Sequence, residues 1–275
     1  MKNLSPESVA SYQANGFYAP IPVLTAGEAL DARQKLEAHE QIHGKLSGPL
    51  RHKSHLLFTW LDDIIRHPKI LDAVEDVLGP NLLVWGSSFF NKEPRDPGFV
   101  SWHQDSTYWG LDPAEIVTAW VALSESTAEN GAMRVIPGTH LMDQVPHRDT
   151  FAAGNLLSRG QEIEVEVDES KAVMLTLQPG EMSLHHFRII HGSDPNPSDK
   201  RRIGFAIRYL PTYVRQVVGS HDSATLVRGV DEFHNFQPEQ RPDADFSPSA
   251  RAFHAKITGD HEQILMRNTG RAAAA

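Results

Sequence analysis

Gly79-Pro80-Asn81-Leu82-Leu83-Val84-Trp85-Gly86-Ser87-Ser88-Phe89-Phe90-Asn91 is where this chain changes texture. Gly79-Pro80 closes a helical pattern over residues 70–78, because proline cannot continue a helix and glycine ends one readily. Leu82-Leu83-Val84-Trp85, and then the alternation Trp85, Ser87, Phe89, Asn91, read as a strand, in which successive side chains face opposite ways. Downstream, residues 116–123, 133–136, 163–167, 172–177, 182–185 and 203–209 read as further strands, and 163–167 alternates most cleanly. Pro137-Gly138, Pro179-Gly180 and Pro195-Asn196-Pro197 punctuate them.

Upstream, the first eighty residues read as helical. Ser5 is a good N-cap, Pro6 suits the first helical position, and Leu4 with Val9 can form a hydrophobic staple. Asn15-Gly16 is a stop. Thr25 and Glu28 form a capping-box pattern, followed by Ala29, Ala32 and Leu36. Helices first and many short strands after predict an α+β, mainly β chain with a barrel or jelly-roll core. Residues 1–275 read as a single domain: a helical part over 1–80, a core over about 81–212 and an extension over 213–275. No internal repeat or linker is visible, and Arg271-Ala272-Ala273-Ala274-Ala275 reads as a frayed tail.

The formal charge of −9 argues against a general nucleic-acid binder. Cysteine is absent, so no thiolate serves as ligand or nucleophile, and a reducing, cytoplasmic setting fits. The start, Met1-Lys2-Asn3-Leu4-Ser5-Pro6, has no apolar signal region, and no apolar run approaches a membrane span.

The chemistry is carried by Trp102-His103-Gln104-Asp105. On a strand, residues two apart share a face, so His103 and Asp105 can reach one ion. A neutral imidazole and a hard carboxylate suit Fe(II), and two histidines with one carboxylate leave half of its coordination sphere open. The pair alone is weak evidence: the chain has 15 histidines, and His147-Arg148-Asp149 fits the same pattern. His103 sits in an aromatic, strand-like setting with Trp102, Tyr108 and Trp109. His147 follows Pro146 in a polar stretch that reads as a solvated loop. For a third ligand, His185, His186 and His191 are all near enough in sequence. His185 and His186 continue an apolar strand, one facing in and one out, whereas His191 ends Phe187-Arg188-Ile189-Ile190 and precedes Gly192.

Taken together, the motifs resemble the phytanoyl-CoA dioxygenase family of Fe(II)/2-oxoglutarate oxygenases. They are Trp102-His103-Gln104-Asp105, Trp120-Val121-Ala122-Leu123, and Glu129-Asn130-Gly131-Ala132-Met133-Arg134-Val135-Ile136-Pro137-Gly138-Thr139-His140. Gln178-Pro179-Gly180-Glu181 and His191-Gly192-Ser193 follow, with Pro195-Asn196, Ser198, Arg202 and Arg208-Tyr209 behind. Their order and spacing cover about residues 80–212. The resemblance implies a double-stranded β-helix, or jelly roll, with the N-terminal helices packed on it. It implies His103, Asp105 and His191 as iron ligands, with Arg202, eleven residues after His191, holding the distal carboxylate of 2-oxoglutarate. A guanidinium meets a carboxylate through two parallel hydrogen bonds. Ser193 matches a hydroxyl that assists the same carboxylate, Asn91 is a candidate to line the cosubstrate pocket, and Arg201 faces the other way.

The implied reaction consumes O2 and 2-oxoglutarate, releases succinate and CO2, and hydroxylates an unactivated C–H bond. Related halogenases carry a small residue in place of the carboxylate, so Asp105 predicts a hydroxylase. The partner is a small molecule, and Arg134, Arg188, Arg208 and Arg215 favour a polar or anionic one if they face the pocket. Two rivals stand beside this: a cupin-like metal enzyme with no use for 2-oxoglutarate, and a non-catalytic jelly-roll binding module with structural histidines.

Overall fold

Ser5 caps α1 (Pro6–Asn15) by accepting from the Ser8 amide, and Gly16 ends it in the left-handed conformation. This computed structural model describes residues 2–219 and 222–266. After β1 (Phe17–Pro22), Thr25 and Glu28 close the expected capping box on α2 (Ala26–His43). Then come α3 (Thr59–Ile65), α4 (Pro68–Leu78), β2 (Leu82–Phe89), β3 (Val100–His103), a single turn α5 (Ser106–Trp109) and β4 (Leu111–Asp112). The strands continue with β5 (Val117–Ala122), β6 (Met133–Val135), β7 (His147–Asp149), β8 (Gln161–Ile163), β9 (Val173–Met174) and β10 (Glu181–His186). The chain closes with β11 (His191–Ser193), β12 (Gly204–Pro211), β13 (Arg215–Gln216), β14 (Ser223–Arg228), β15 (Gln237–Pro238) and α6 (Pro248–Leu265).

The strands form the jelly roll. A seven-stranded sheet runs β1-β10-β5-β12-β2-β14-β15, and a four-stranded sheet runs β3-β11-β6-β9. Alternation gives the large sheet two distinct faces. Val117, Ala119 and Val121 of β5, Phe205, Ile207 and Tyr209 of β12, and Met182 and Leu184 of β10 enter the main core, against Leu61 and Ile65 of α3 and Ile70 and Val74 of α4. The residues between them, Thr118, Trp120, His185, Ala206 and Arg208, turn to the other side and line one cavity. The helices therefore seal one face of the sheet and leave the other for chemistry. No helix among the described residues is long and apolar enough to cross a membrane.

Several expectations need correction. The large sheet is not confined to residues 81–212: β1 comes from the stretch read as helical, and β14 and β15 from the extension. The strand expected over 163–167 stops at Ile163. Its partner β7 is preceded by Pro146, whose carbonyl accepts from the Glu164 amide but which has no N–H to return, so the ladder ends there. His147 and Asp149 lie on β7 rather than in a solvated loop. The expected frayed tail lies outside the described residues.

Candidate metal centre

His103 is the last residue of β3, and its cross-strand partner is His191, the first residue of β11. Their ring centroids are 4.1 Å apart. His191 therefore opens a strand instead of closing one, because residues 187–190 form the turn that leads into it. Asp105 is not on a strand either: its backbone is helical, and it stands just ahead of α5. The turn after β3 brings its carboxylate round to 3.3 Å from His103 Nε2. One donor atom from each of His103, Asp105 and His191 lies within 4.8 Å of the others, and all three sites are buried.

The two imidazoles are oriented in the same way. His103 Nδ1 donates to the Ser101 carbonyl at 2.9 Å, and His191 Nδ1 donates to the Ile189 carbonyl at 3.0 Å. Each carbonyl lies two residues upstream, and each bond leaves Nε2 with its lone pair for an ion. Burial, and then the His103 charge, push His191 down to about 4, against Asp105, so it is neutral at physiological pH. For Asp105, burial acts upward but is outweighed by the His103 hydrogen bond and by the charges of His191, His103 and Arg208. Its net displacement is well below the usual carboxylate range. Two imidazole nitrogens and one carboxylate oxygen, converging and with the second ring nitrogens hydrogen-bonded, fit a divalent iron.

Gln104, between two ligands, points away from them and anchors the turn. Its side chain donates to the Arg188 carbonyl at 2.8 Å and accepts from the Val145 amide at 2.9 Å. Its backbone amide donates to His147 Nε2 at 2.9 Å, and Tyr108 donates to Asp149 at 2.7 Å. The competing His147/Asp149 pair thus braces the metal turn from behind.

Arg202 is buried and faces the same cavity, where it donates to the Gly131 carbonyl and leaves Nε with no protein partner. Its guanidinium carbon lies 5.5 Å from the centroid of Trp120, whose ring takes the space above Gly204, where a Cβ would sit 1.8 Å from it. Gly131 has φ of 75°, and a Cβ there would strike the carbonyls of Asp194 and Pro195. Arg201 faces away, as alternation requires, and pairs with Glu40 and Glu93 at 2.8 Å each.

Ser193 lines the cavity too, and its hydroxyl accepts from Lys92 Nζ at 2.8 Å, which leaves its proton free to donate inward. Lys92 was not foreseen. It is fully buried, bridges to Arg202 through the backbone and also donates to the Asp194 carbonyl. Burial and then the charge of Arg202 push it down to about 7, against Asp194 and Asp96. Asn91 is not among the residues that line the cavity, although its neighbour Phe90 is.

A family model described as phytanoyl-CoA dioxygenase (PhyH) matches residues 2–204. This chain belongs to the phytanoyl-CoA dioxygenase family. Within reach of the same comparison is a probable alpha-ketoglutarate-dependent hypophosphite dioxygenase of Stutzerimonas stutzeri, 34% identical over 157 residues. That match covers 56% of this chain and 54% of the relative, so the chain spans about half of that protein's length. Among solved structures, the non-heme monooxygenase ThoJ in its apo form superimposes with a TM-score of 0.83 at 35% identity, over 95% of this chain and 98% of ThoJ. CytC3 with Fe(II) and alpha-ketoglutarate superimposes with a TM-score of 0.67 at 25% identity, over 90% of this chain and 97% of that one.

Proposed function

We propose that this phytanoyl-CoA dioxygenase family member is an Fe(II)- and 2-oxoglutarate-dependent oxygenase that hydroxylates an unactivated C–H bond of a small molecule, with succinate and CO2 as coproducts. The observation that carries this reading is the convergence of three buried ligand atoms beside a buried arginine whose Nε has no partner. CytC3, a structural relative, holds Fe(II) and alpha-ketoglutarate, and the Stutzerimonas stutzeri relative is named for dependence on the same cosubstrate.

Bound together, iron and 2-oxoglutarate supply the oxidising power for inserting one atom of O2 into the substrate. The chain supplies the rest. His103, Asp105 and His191 would hold the metal. Arg202 and the Ser193 hydroxyl would take the distal carboxylate, with Lys92 adding charge behind Ser193. Phe90, Trp120 and Ala206 wall the cavity and keep water from the reacting bond. Asp105 occupies the position that a halide would need, which supports hydroxylation over halogenation. A cupin-like enzyme without 2-oxoglutarate leaves the buried Arg202 without a purpose, and a binding module leaves the converging Nε2 atoms without one.

An anaerobic titration with Fe(II) and 2-oxoglutarate tests the reading. Wild type should develop a weak visible charge-transfer band, and Arg202→Ala should lose or weaken it. Asp105→Ala should lose substrate hydroxylation; undiminished product from that variant, or no band in folded, iron-loaded wild type, would sink the assignment.

A further inference from the structure

His147 and Asp149 rival the ligand pair in sequence but stand outside the ligand set. They lie two apart on β7, so both side chains face one way, toward the turn that follows β3. Arg148, between them, faces out and pairs with Glu162, its partner across the β7–β8 ladder.

The turn is held unevenly. Gln104 donates its backbone amide to His147 Nε2 at 2.9 Å, and its side-chain oxygen accepts from Val145 at 2.9 Å and from Gln144 at 3.0 Å. Ser106 donates to Gln144, Thr107 Oγ1 lies 3.1 Å from His147 Nδ1, and Tyr108 donates to Asp149 at 2.7 Å. Gln104, Ser106, Thr107 and Tyr108 are therefore all bonded to the segment 144–149, and Asp105 among them is not. Among the described residues its carboxylate pairs only with His103 Nε2, at 3.3 Å. It gets no support from α5 either, which is a single turn that its side chain does not cap. So short a helix does not hold itself. The histidine ligands differ: each is oriented by a carbonyl two residues upstream, Ser101 or Ile189.

The bracing side chains are themselves fixed. Because His147 Nε2 accepts from Gln104, its proton sits on Nδ1, which donates to the Val145 carbonyl at 2.7 Å. Arg159 Nε donates to Asp149 at 3.0 Å, and its guanidinium carbon lies 4.0 Å from the centroid of the Tyr108 ring. The hairpin also has a footing that does not involve His147, since Ser101 donates to the Gln161 carbonyl at 2.5 Å.

We propose that His147 and Asp149 are positioning residues for one ligand: through them the β7–β8 hairpin aims the Asp105 carboxylate, while the two histidines are aimed by their own segments; this rests on the metal-site reading above. Gln104 is buried, so without its acceptor the amide has to move, and Asp105 moves with it. Groups behind a ligand set metal affinity through the ligand they orient.

The test is a calorimetric titration of the full chain, stripped of metal, with nickel(II), and His103→Ala serves as the blank for nickel held elsewhere. Nickel(II) takes nitrogen and oxygen donors more tightly than iron(II), which keeps an Asp105→Ala variant measurable. His147→Leu should weaken nickel about tenfold or more, and His147→Gln, whose amide oxygen can still accept from Gln104, by less than about threefold. In the Asp105→Ala background the same His147→Leu change should alter affinity by less than about twofold, because the ligand it acts through is gone. Equal weakening in both backgrounds assigns His147 to the fold as a whole and overturns the proposal, as does full affinity in His147→Leu. Should His147→Leu fail to fold, Tyr108→Phe removes only the hydroxyl that reaches Asp149. It should weaken nickel about threefold with Asp105 present and not without it; no such difference overturns the proposal equally. Wild type that binds nickel no better than His103→Ala is a separate result: it removes the metal site, and the positioning role with it.

Discussion

Lys92 makes cosubstrate binding sensitive to pH. Burial and the Arg202 charge push it down to about 7, so it is half neutral under ordinary conditions. A dicarboxylate arriving beside it restores the charged form, so binding takes up a proton above that pH. The affinity for 2-oxoglutarate should be full below about 7 and fall as pH rises through it. Lys92→Met should bind more weakly at pH 6 and show a flat profile above it; calorimetric titration across pH measures both, and a wild-type affinity unchanged from pH 6 to 9 would refute the coupling. The family's motifs point to His103, Asp105, His191 and Arg202, which line one cavity, although spacing alone leaves His185, His186 and His191 open and Asp105 reaches the group from a turn. Lys92 was not legible, because no motif or spacing in the sequence sets it apart from the other lysines. The backbone bridge to Arg202 sets it beside Ser193 and the Asp194 carbonyl, where it is buried.

Between elements, the buried pair of Lys53 and Glu239 joins the segment before α3 to the end of β15. Their side chains are fully buried and 2.5 Å apart, and His55 Nε2 lies 3.3 Å from the same carboxylate. Burial acts upward on Glu239, but the Lys53 charge and the His55 hydrogen bond outweigh it, and its carboxyl is displaced well below the usual range. A depressed carboxyl contributes stability that is present above the unfolded value, about 4.3, and is lost as pH falls below it. Glu239→Gln should cost about 3–5 kcal/mol at neutral pH, because it leaves Lys53 charged and unpaired. Its loss of stability between pH 5 and 3 should be shallower than that of wild type in urea melts; parallel curves would contradict the pairing. This contact was invisible in a sequence that separates its members so widely. Strand faces were easier, since the alternation of β5 and β12 alone divides core from cavity. The strand over 163–167 failed for a reason outside itself: alternation describes a willingness to pair, and Pro146 on the neighbour withholds the pairing.

At the scale of the molecule, the jelly roll borrows strands from both ends of the chain. β1 pairs with β10, which carries His185, and β14 pairs with β2. Removing residues 2–22 should expose the β10 edge and send the protein into the insoluble fraction, as an unprotected strand edge recruits other chains. A soluble, cooperatively melting fragment spanning 81–212 would contradict this dependence on both ends. The family and the jelly roll were legible because their motifs cluster in the middle of the chain; the flanking strands were not, because β1 carries two prolines at the sheet edge and the burial of β14 does not alternate. The assembled sheets and the turn after β3 also bring His103, Asp105 and His191 together. A socket shaped in advance by carbonyl hydrogen bonds accepts divalent ions by their intrinsic appetite for nitrogen and oxygen, and iron ranks below cobalt, nickel and copper in that order. Correct loading is therefore a question of supply: protein recovered over immobilised nickel will carry the wrong metal until it is stripped and refilled with Fe(II) in the absence of air.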